Sequence, residues 1–199
     1  MKIIKNKIVI ASHNDGKVRE IKDILKPFNY KVLSSKEFKL KEPKETGKTF
    51  EENALLKSNF TAKQTGFVSL SDDSGLCIEF LNGEPGIYSA RLAGKNKDFK
   101  KAMCSLQKKM KKISNKRCKF VCALSLCWPN GFNITVKGEV FGNFIWPPRG
   151  NLGFGYDPIF EPLGMTKTFA EIKPSLKYLI SHRFIAFQKL KKKINFSNE

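Results

Sequence analysis

The amino-acid sequence predicts an α/β fold. Short apolar runs bounded by Gly or charge read as strands, and apolar stripes at helical spacing read as helices, one after another along the chain. Asn130–Gly131 supplies a hairpin signal between two long strand-like runs. No repeat, low-complexity tract or linker divides the sequence. Residues 1–199 are therefore expected to form a single domain, long enough to hold two closely packed lobes.

Lys7–Ala11 is a short buried strand. A polar loop follows, Ser12–His13–Asn14–Asp15–Gly16–Lys17, and then a helix with Val18, Ile21, Ile24 and Leu25 on one side, ended by Pro27. Such a loop sets backbone N–H groups and the positive end of a helix where a phosphate can sit, and Lys17 adds a point charge. It equally reads as an ordinary helix start with Ser12, Asn14 or Asp15 as N-cap. Tyr30–Ser34 is a second strand, and Ser35–Lys48 a polar loop. Thr49–Phe50–Glu51–Glu52 is a capping box, opening a helix that runs to Gln64 and is closed by Gly66. Phe50, Ala54, Leu55, Leu56 and Phe60 form its expected core side. Asn53 and Lys57 share another face, which is either a nucleotide contact or simply wet.

The second half follows the same logic. Gly83–Gly86 is a turn, and Asn96–Lys112 a helix with Phe99, Met103, Leu106 and Met110 in one stripe. Arg117–Trp128 and Phe132–Phe141 are the hairpin strands, with Phe132, Ile134 and Val136 expected on the buried face. Between Trp146 and Pro158 lies a glycine-punctuated loop. Phe154 and Tyr156 are stacking faces for a flat ligand or else core, and Asp157 is an acceptor. From Pro174 on the chain is mostly helical. With Ser181 as N-cap of a last helix, His182 and Arg183 fall in its first turn, and Phe184, Phe187 and Leu190 pack inward.

Composition excludes several classes. A hydrophobic content of 41% with 17 Phe is not that of a disordered chain. No apolar run has the length to cross a membrane, and the one after the charged Met1–Lys7 is too short for a signal peptide, so a cytosolic protein is expected. The five Cys include no C-x-x-C pair, and the only His are His13 and His182, which argues against zinc. Cys118, Cys122 and Cys127 read as small buried hydrophobes of a reducing compartment. A net charge of +19 favours an anionic partner. Because Arg is scarce and Lys is spread widely, base-reading nucleic-acid binding is the weaker form of that inference.

The chain is organised around Leu70–Ser71–Asp72–Asp73–Ser74–Gly75–Leu76. Its two acids fall between the strand-like runs Phe67–Leu70 and Leu76–Phe80, at a strand end or in a tight turn. Adjacent carboxylates repel, and a cation, a shared proton or bulk water relieves them. A hard divalent metal is one answer, and a solvated Asp-Asp-Ser-Gly turn is the other.

Read together, the strings Ser12–Lys17, Glu45–Ala54, Asp72–Leu76, Gly86–Arg91, Gly153–Pro158 and Ser181–Arg183 resemble the inosine triphosphate pyrophosphatase family, nucleotidases that remove non-standard purine triphosphates. The resemblance implies an α/β fold with an elongated mixed β-sheet flanked by helices, and two lobes with a central active-site cleft. It also implies a Mg²⁺-dependent homodimer that hydrolyses ITP, dITP and XTP to the monophosphate and pyrophosphate. The triphosphate is expected on Ser12, His13, Asn14, Asp15, Gly16 and Lys17, with Lys57 adding charge and Ser74 alongside. Glu45, Asp72 and Asp73 are the expected metal ligands. Asp73 is the expected general base, although Asp72 can exchange roles with it. The base is expected on Phe154, Gly155, Tyr156, Asp157, Lys177, His182 and Arg183, where donors favour a 6-oxo group. Adenine would leave a buried group unpaired there, at a cost of ~1–3 kcal/mol. His13 stands where the family's loop is often Gly, and Lys44 where many relatives carry a second acid. The alternatives are a Maf-like pyrophosphatase for modified pyrimidine nucleotides and a basic nucleic-acid-binding protein.

Overall fold

The structure, a computed structural model, describes residues 6–194. The reading of Met1–Lys7 therefore lies mostly outside the described residues, as does the last part of the C-terminal helical stretch. Six strands form one mixed sheet in the order β2-β1-β3-β4-β5-β6. They are β1 (Lys7–Ala11), β2 (Lys31–Ser34), β3 (Val68–Ile78), β4 (Arg117–Cys127), β5 (Asn133–Phe144) and β6 (Phe160–Pro162). The helices are α1 (Asp15–Leu25), α2 (Phe50–Thr65), the short α3 (Ser89–Leu92), α4 (Phe99–Met110), α5 (Pro174–Ile180) and α6 (His182–Lys193).

The chain divides into two compact units, each discontinuous in sequence. The first comprises Met1–Asp73, Cys122–Gly138 and Arg183–Glu199. In it β1 pairs in parallel with both β2 and β3, Ile8 lying opposite Val32 and Val68. Ile8, Val9 and Ile10 are all withdrawn from solvent, as expected of a central parallel strand covered on both faces. Ile21 and Leu25 of α1, Leu124 and Leu126 of β4, and Phe187 and Leu190 of α6 complete this unit's core. Asn14 caps α1, accepting from the N–H groups of Gly16 and Lys17.

The second unit comprises Ser74–Val121 and Glu139–His182, with its own core. Met103, Leu106 and Met110 of α4 pack there with Leu76, Ile78 and an aromatic group of Phe120, Phe160 and Phe169. β5 and β6 pair antiparallel, Phe144 opposite Phe160. Between β4 and β5 the expected hairpin forms, Gly131 donating to the Trp128 carbonyl and Trp128 to that of Phe132.

Three local expectations are corrected. The acid pair does not mark a turn between two strands: β3 runs unbroken from Val68 to Ile78. Cations from other elements neutralise the polar residues in its middle, so the strand continues where its own sequence looks like a break. Phe132, expected on a buried face, is 45% exposed and packs edge-on against Trp128 instead. The capping box at Thr49 is half formed. Thr49 accepts from Glu52 N–H, but the Glu52 carboxylate takes the N–H of Lys48.

Candidate active site

In the first unit the candidate residues converge on the middle of β3. Asp72 and Asp73 are neighbours on an extended strand and so address different partners. Asp72 is fully buried. Its Oδ1 pairs with the Lys17 ammonium at 2.7 Å, and its Oδ2 with Arg183 Nε at 2.7 Å. The Cys122 thiol, 2.9 Å away, also donates to Oδ2. Burial pushes the Asp72 carboxyl up, but the Arg183 and Lys17 charges outweigh it and hold the group well below the usual carboxylate range. Burial, with the Asp72 carboxylate, moves Cys122 well the other way, so it stays a thiol and a donor.

Asp73 is paired less completely. Its Oδ1 lies 3.2 Å from the Lys57 ammonium, while its buried Oδ2 has no hydrogen-bond partner. Burial raises the Asp73 carboxyl. Lys57 and Lys17 oppose the rise, Glu45 and Asp72 add to it, and the result is a raised value. Lys57 is 4% exposed, and three acceptors surround its ammonium: Glu45 at 2.6 Å, the Asp72 carbonyl at 2.8 Å, and Asp73. These acceptors overcome the cost of burial and keep Lys57 charged.

α2 supplies this lysine from a face that is neither wet nor loosely placed. Its buried residues are Phe50, Asn53, Ala54, Lys57, Ser58, Thr61 and Ala62, whereas Leu55, Leu56 and Phe60 are only half-buried. The expected core side is thus buried only at Phe50 and Ala54, and the expected polar side is buried as well. Asn53 uses its side-chain oxygen to accept Gly47 N–H at 2.8 Å, which pins the loop carrying Glu45. His13 points to the same loop. Its Nε2 is 2.9 Å from the Leu40 carbonyl, and its Nδ1 is 3.8 Å from Glu42.

The oxygens of Glu45 and Asp73 share Lys57, and one Asp73 oxygen is buried and unpartnered. Hard oxygen donors of this kind suit Mg²⁺, which is commonly held by one or two carboxylates plus substrate phosphates. Among the described residues no three His, Cys, Asp or Glu side chains gather into a closed metal cage. Asp72, the third expected ligand, has both oxygens engaged by cations.

The second unit holds the other candidates. Gly153 has φ +74°, and a Cβ there would overlap the Asp157 carboxylate. Asp157, itself buried, accepts the Phe154 N–H at 2.9 Å and Lys177 Nζ at 2.6 Å. Lys177 lies 4.7 Å from the centre of the half-buried Phe154 ring. Tyr156 takes no part in a stacking face. It is core, edge-on to Phe99, with its hydroxyl donating to the Ser89 carbonyl. His182 opens α6 and stacks on Phe120, centroids 4.9 Å apart and 15° between planes. Ser74 lies on β3 immediately after the acids, half-buried.

Residues 8–193 match the family model described as the Ham1 family. The chain belongs to the Ham1 family. It is 51% identical over 187 residues to a protein of Zymomonas mobilis named dITP/XTP pyrophosphatase, covering 92% of this chain and 90% of that one. A Rhodospirillum centenum protein of the same name is 48% identical, covering 92% of each. Among solved structures, the Ham1 protein of Staphylococcus aureus has a TM-score of 0.84 at 41% identity, covering 94% of this chain and 97% of that one. A HAM1 protein from Coxiella burnetii has 0.87 at 36%, covering 96% and 99%. The resemblance drawn from the motif strings is thus that of the Ham1 family, and the fold is the expected mixed sheet flanked by helices.

Two members of the Ham1 chain's buried network were not singled out from sequence. Glu20 accepts from Arg183 Nη1, and Cys122 donates to Asp72. Glu20 had no local signal, since its partner lies 163 positions away and nothing near it distinguishes it from the exposed Asp23. Cys122 was correctly expected to be buried, but its hydrogen bond was not foreseen.

Proposed function

We propose that this Ham1-family chain hydrolyses non-standard purine nucleoside triphosphates, dITP, XTP and ITP, to the monophosphate and pyrophosphate. The observation that carries the reading is the Asp73 carboxylate. It is buried, raised in pKa, and free at one oxygen beside Glu45 and two lysines. A carboxylate in that state is equipped to take a proton from an attacking water, a step typically worth ~10²–10⁴ in rate. Lys17, 14% exposed, is the cation open to a triphosphate. Lys57 is occupied in setting the distance between Glu45 and Asp73.

Glu45 and Asp73 are the residues that would hold Mg²⁺, which when bound supplies charge neutralisation to the leaving pyrophosphate. Asp72 is left out of that pair because its oxygens already hold Lys17 and Arg183. At the base end, Phe154 offers an aromatic face, and Lys177 and His182 offer donors to a 6-oxo group. The reading includes a homodimer in the cytosol, as the family resemblance implies. Among the described residues no helix is long and apolar enough to cross a membrane.

The test is product identification with dITP, XTP, ITP, dATP and GTP in Mg²⁺. Pyrophosphate and monophosphate are expected from the first three, with dATP and GTP much poorer. Orthophosphate as first product overturns the cleavage position, and equal turnover of dATP and dITP overturns the selectivity. Sedimentation velocity checks the dimer.

A further inference from the structure

Lys177 and His182, the donors at the base end, do not share a helix. Lys177 belongs to α5 and His182 opens α6, and Ser181 between them is extended, with φ −76° and ψ 154°. Helix geometry therefore does not set the distance between the two side chains. Each rests on an aromatic ring instead. The His182 imidazole stacks on Phe120, and Phe120 lies nearly parallel to Phe169, centroids 6.0 Å apart and 9° between planes. The Lys177 ammonium sits over the ring of Phe169 at 5.6 Å as well as over that of Phe154. Phe169 thus touches Lys177 itself and the ring that carries His182.

The backbone around Phe169 reaches the remaining part of the base end. Thr168, Phe169 and Ala170 are all fully buried. Thr168 Oγ1 donates to the Arg149 carbonyl at 2.9 Å, and the Ala170 carbonyl accepts the Leu152 N–H at 3.0 Å. Both bonds tie down the loop that carries Phe154. The Phe169 N–H donates to the Phe160 carbonyl of β6 at 3.0 Å, which fixes the segment to the sheet. Loop, lysine and histidine come from separate stretches of chain and meet on one buried segment. Telling a 6-oxo group from an amine needs donors held within about 0.5 Å of their places. Asp157 alone leaves Lys177 loosely directed, because an ammonium is a point charge with rotatable donors, and an aromatic face adds a direction.

We propose that Phe169 is a positioning residue for base discrimination: through its ring, and through Phe120 stacked beside it, it holds Lys177 and His182 at the spacing that separates a 6-oxo purine from a 6-amino one. This rests on the pyrophosphatase reading, and it gives Phe169 no part in holding the triphosphate.

The experiment compares wild type with Phe169→Leu and Phe169→Met, and with Leu106→Ala as a control for lost packing in the same core. Thermal midpoints show which Phe169 variant is folded at the assay temperature, and that variant is used. Three quantities are measured: the ratio of kcat/KM for dITP and dATP, the affinity for inorganic triphosphate by calorimetry, and the imidazole proton signal of His182 by NMR. His13→Gln identifies that signal, since the chain has only two histidines. In the Phe169 variant the dITP-to-dATP preference should fall about three- to tenfold. Its inorganic triphosphate affinity should stay as in wild type, and the His182 signal should move as the ring stack loosens. Leu106→Ala should lose stability but keep both the preference and the signal. An unchanged preference in the folded Phe169 variant, an equal fall in Leu106→Ala, or an unmoved His182 signal overturns the proposal. If wild type releases no pyrophosphate, the pyrophosphatase reading fails, and the His182 signal still decides by itself whether Phe169 positions the donors.

Discussion

Replacing Lys57 by methionine tests the centre of the site, because the substitution keeps most of the volume and removes only the charge. In the wild-type chain one ammonium serves Glu45, Asp73 and the Asp72 carbonyl. Its loss leaves the Asp73 side chain, 6% exposed, facing Glu45 and Asp72 with only Lys17 to offset them. Breaking a buried pair by removing one partner costs ~3–5 kcal/mol. Glu45 is 23% exposed and keeps part of its hydration, which argues for the low end. The expected loss is about 3 kcal/mol, which for a chain of this length is a fall of roughly 6–12 °C in thermal midpoint. The assay is thermal unfolding of both proteins in chelator and then across a Mg²⁺ titration. If Glu45 and Asp73 hold Mg²⁺ as proposed, the ion would supply the charge the ammonium no longer does, and Mg²⁺ should return more stability to Lys57→Met than to wild type. A midpoint within about 1 °C of wild type, or equal Mg²⁺ shifts in both proteins, refutes the reasoning.

The other predictions address the remaining roles. Asp73→Asn keeps an acceptor for Lys57 and removes a charge that Glu45 and Asp72 disfavour. The fold should persist while turnover of dITP falls by ~10² or more, and a variant with half the wild-type rate would contradict Asp73 as the base. Tyr156→Phe removes a buried hydroxyl bonded to the Ser89 carbonyl. It should cost about 1 kcal/mol in a denaturant titration and leave the dITP-to-dATP preference intact; a changed preference would return Tyr156 to the base pocket. Gly153→Ala forces a side chain into the left-handed region and against Asp157. It should raise KM for dITP while leaving inorganic triphosphate affinity, read by calorimetry, as in wild type.

What was legible in the sequence was what local pattern encodes. The β1–loop–α1 unit, the helix after Thr49, the α4 stripe and the Asn-Gly hairpin all follow from spacing within a few residues, and all formed. The site's residue types were legible for the same reason, as short strings. Their roles were not, because those depend on distant partners. Asp72 and Asp73 look alike in sequence and part company only through Arg183, 111 positions from Asp72, and Lys57, 16 from Asp73. The α2 core side was legible only at Phe50 and Ala54 for a related reason. Hydrophobicity points to Leu55, Leu56 and Phe60, while the polar face is buried because Glu45, the Asp72 carbonyl, Gly47 and Ser125 receive or supply its hydrogen bonds. Tyr156 was ambiguous between core and ligand, and Ser89 with Phe99 decided for core.

The charge of the first unit's cluster connects these observations. Four carboxylates, Glu20, Asp72, Asp73 and Glu45, meet three cations, Lys17, Lys57 and Arg183. One negative charge is in excess, and its place is not arbitrary. Asp72 has a cation on each oxygen and Glu20 has Arg183, whereas Glu45 and Asp73 both reach the Lys57 ammonium. The excess therefore rests on the Glu45–Asp73 side, where the raised Asp73 carboxyl and its unpartnered oxygen are found. A divalent cation held there, as proposed above, would reverse the sign of the whole cluster and turn it into one that attracts a polyphosphate. Metal and substrate should thus bind cooperatively to this chain, with the metal preparing the electrostatics that the triphosphate needs.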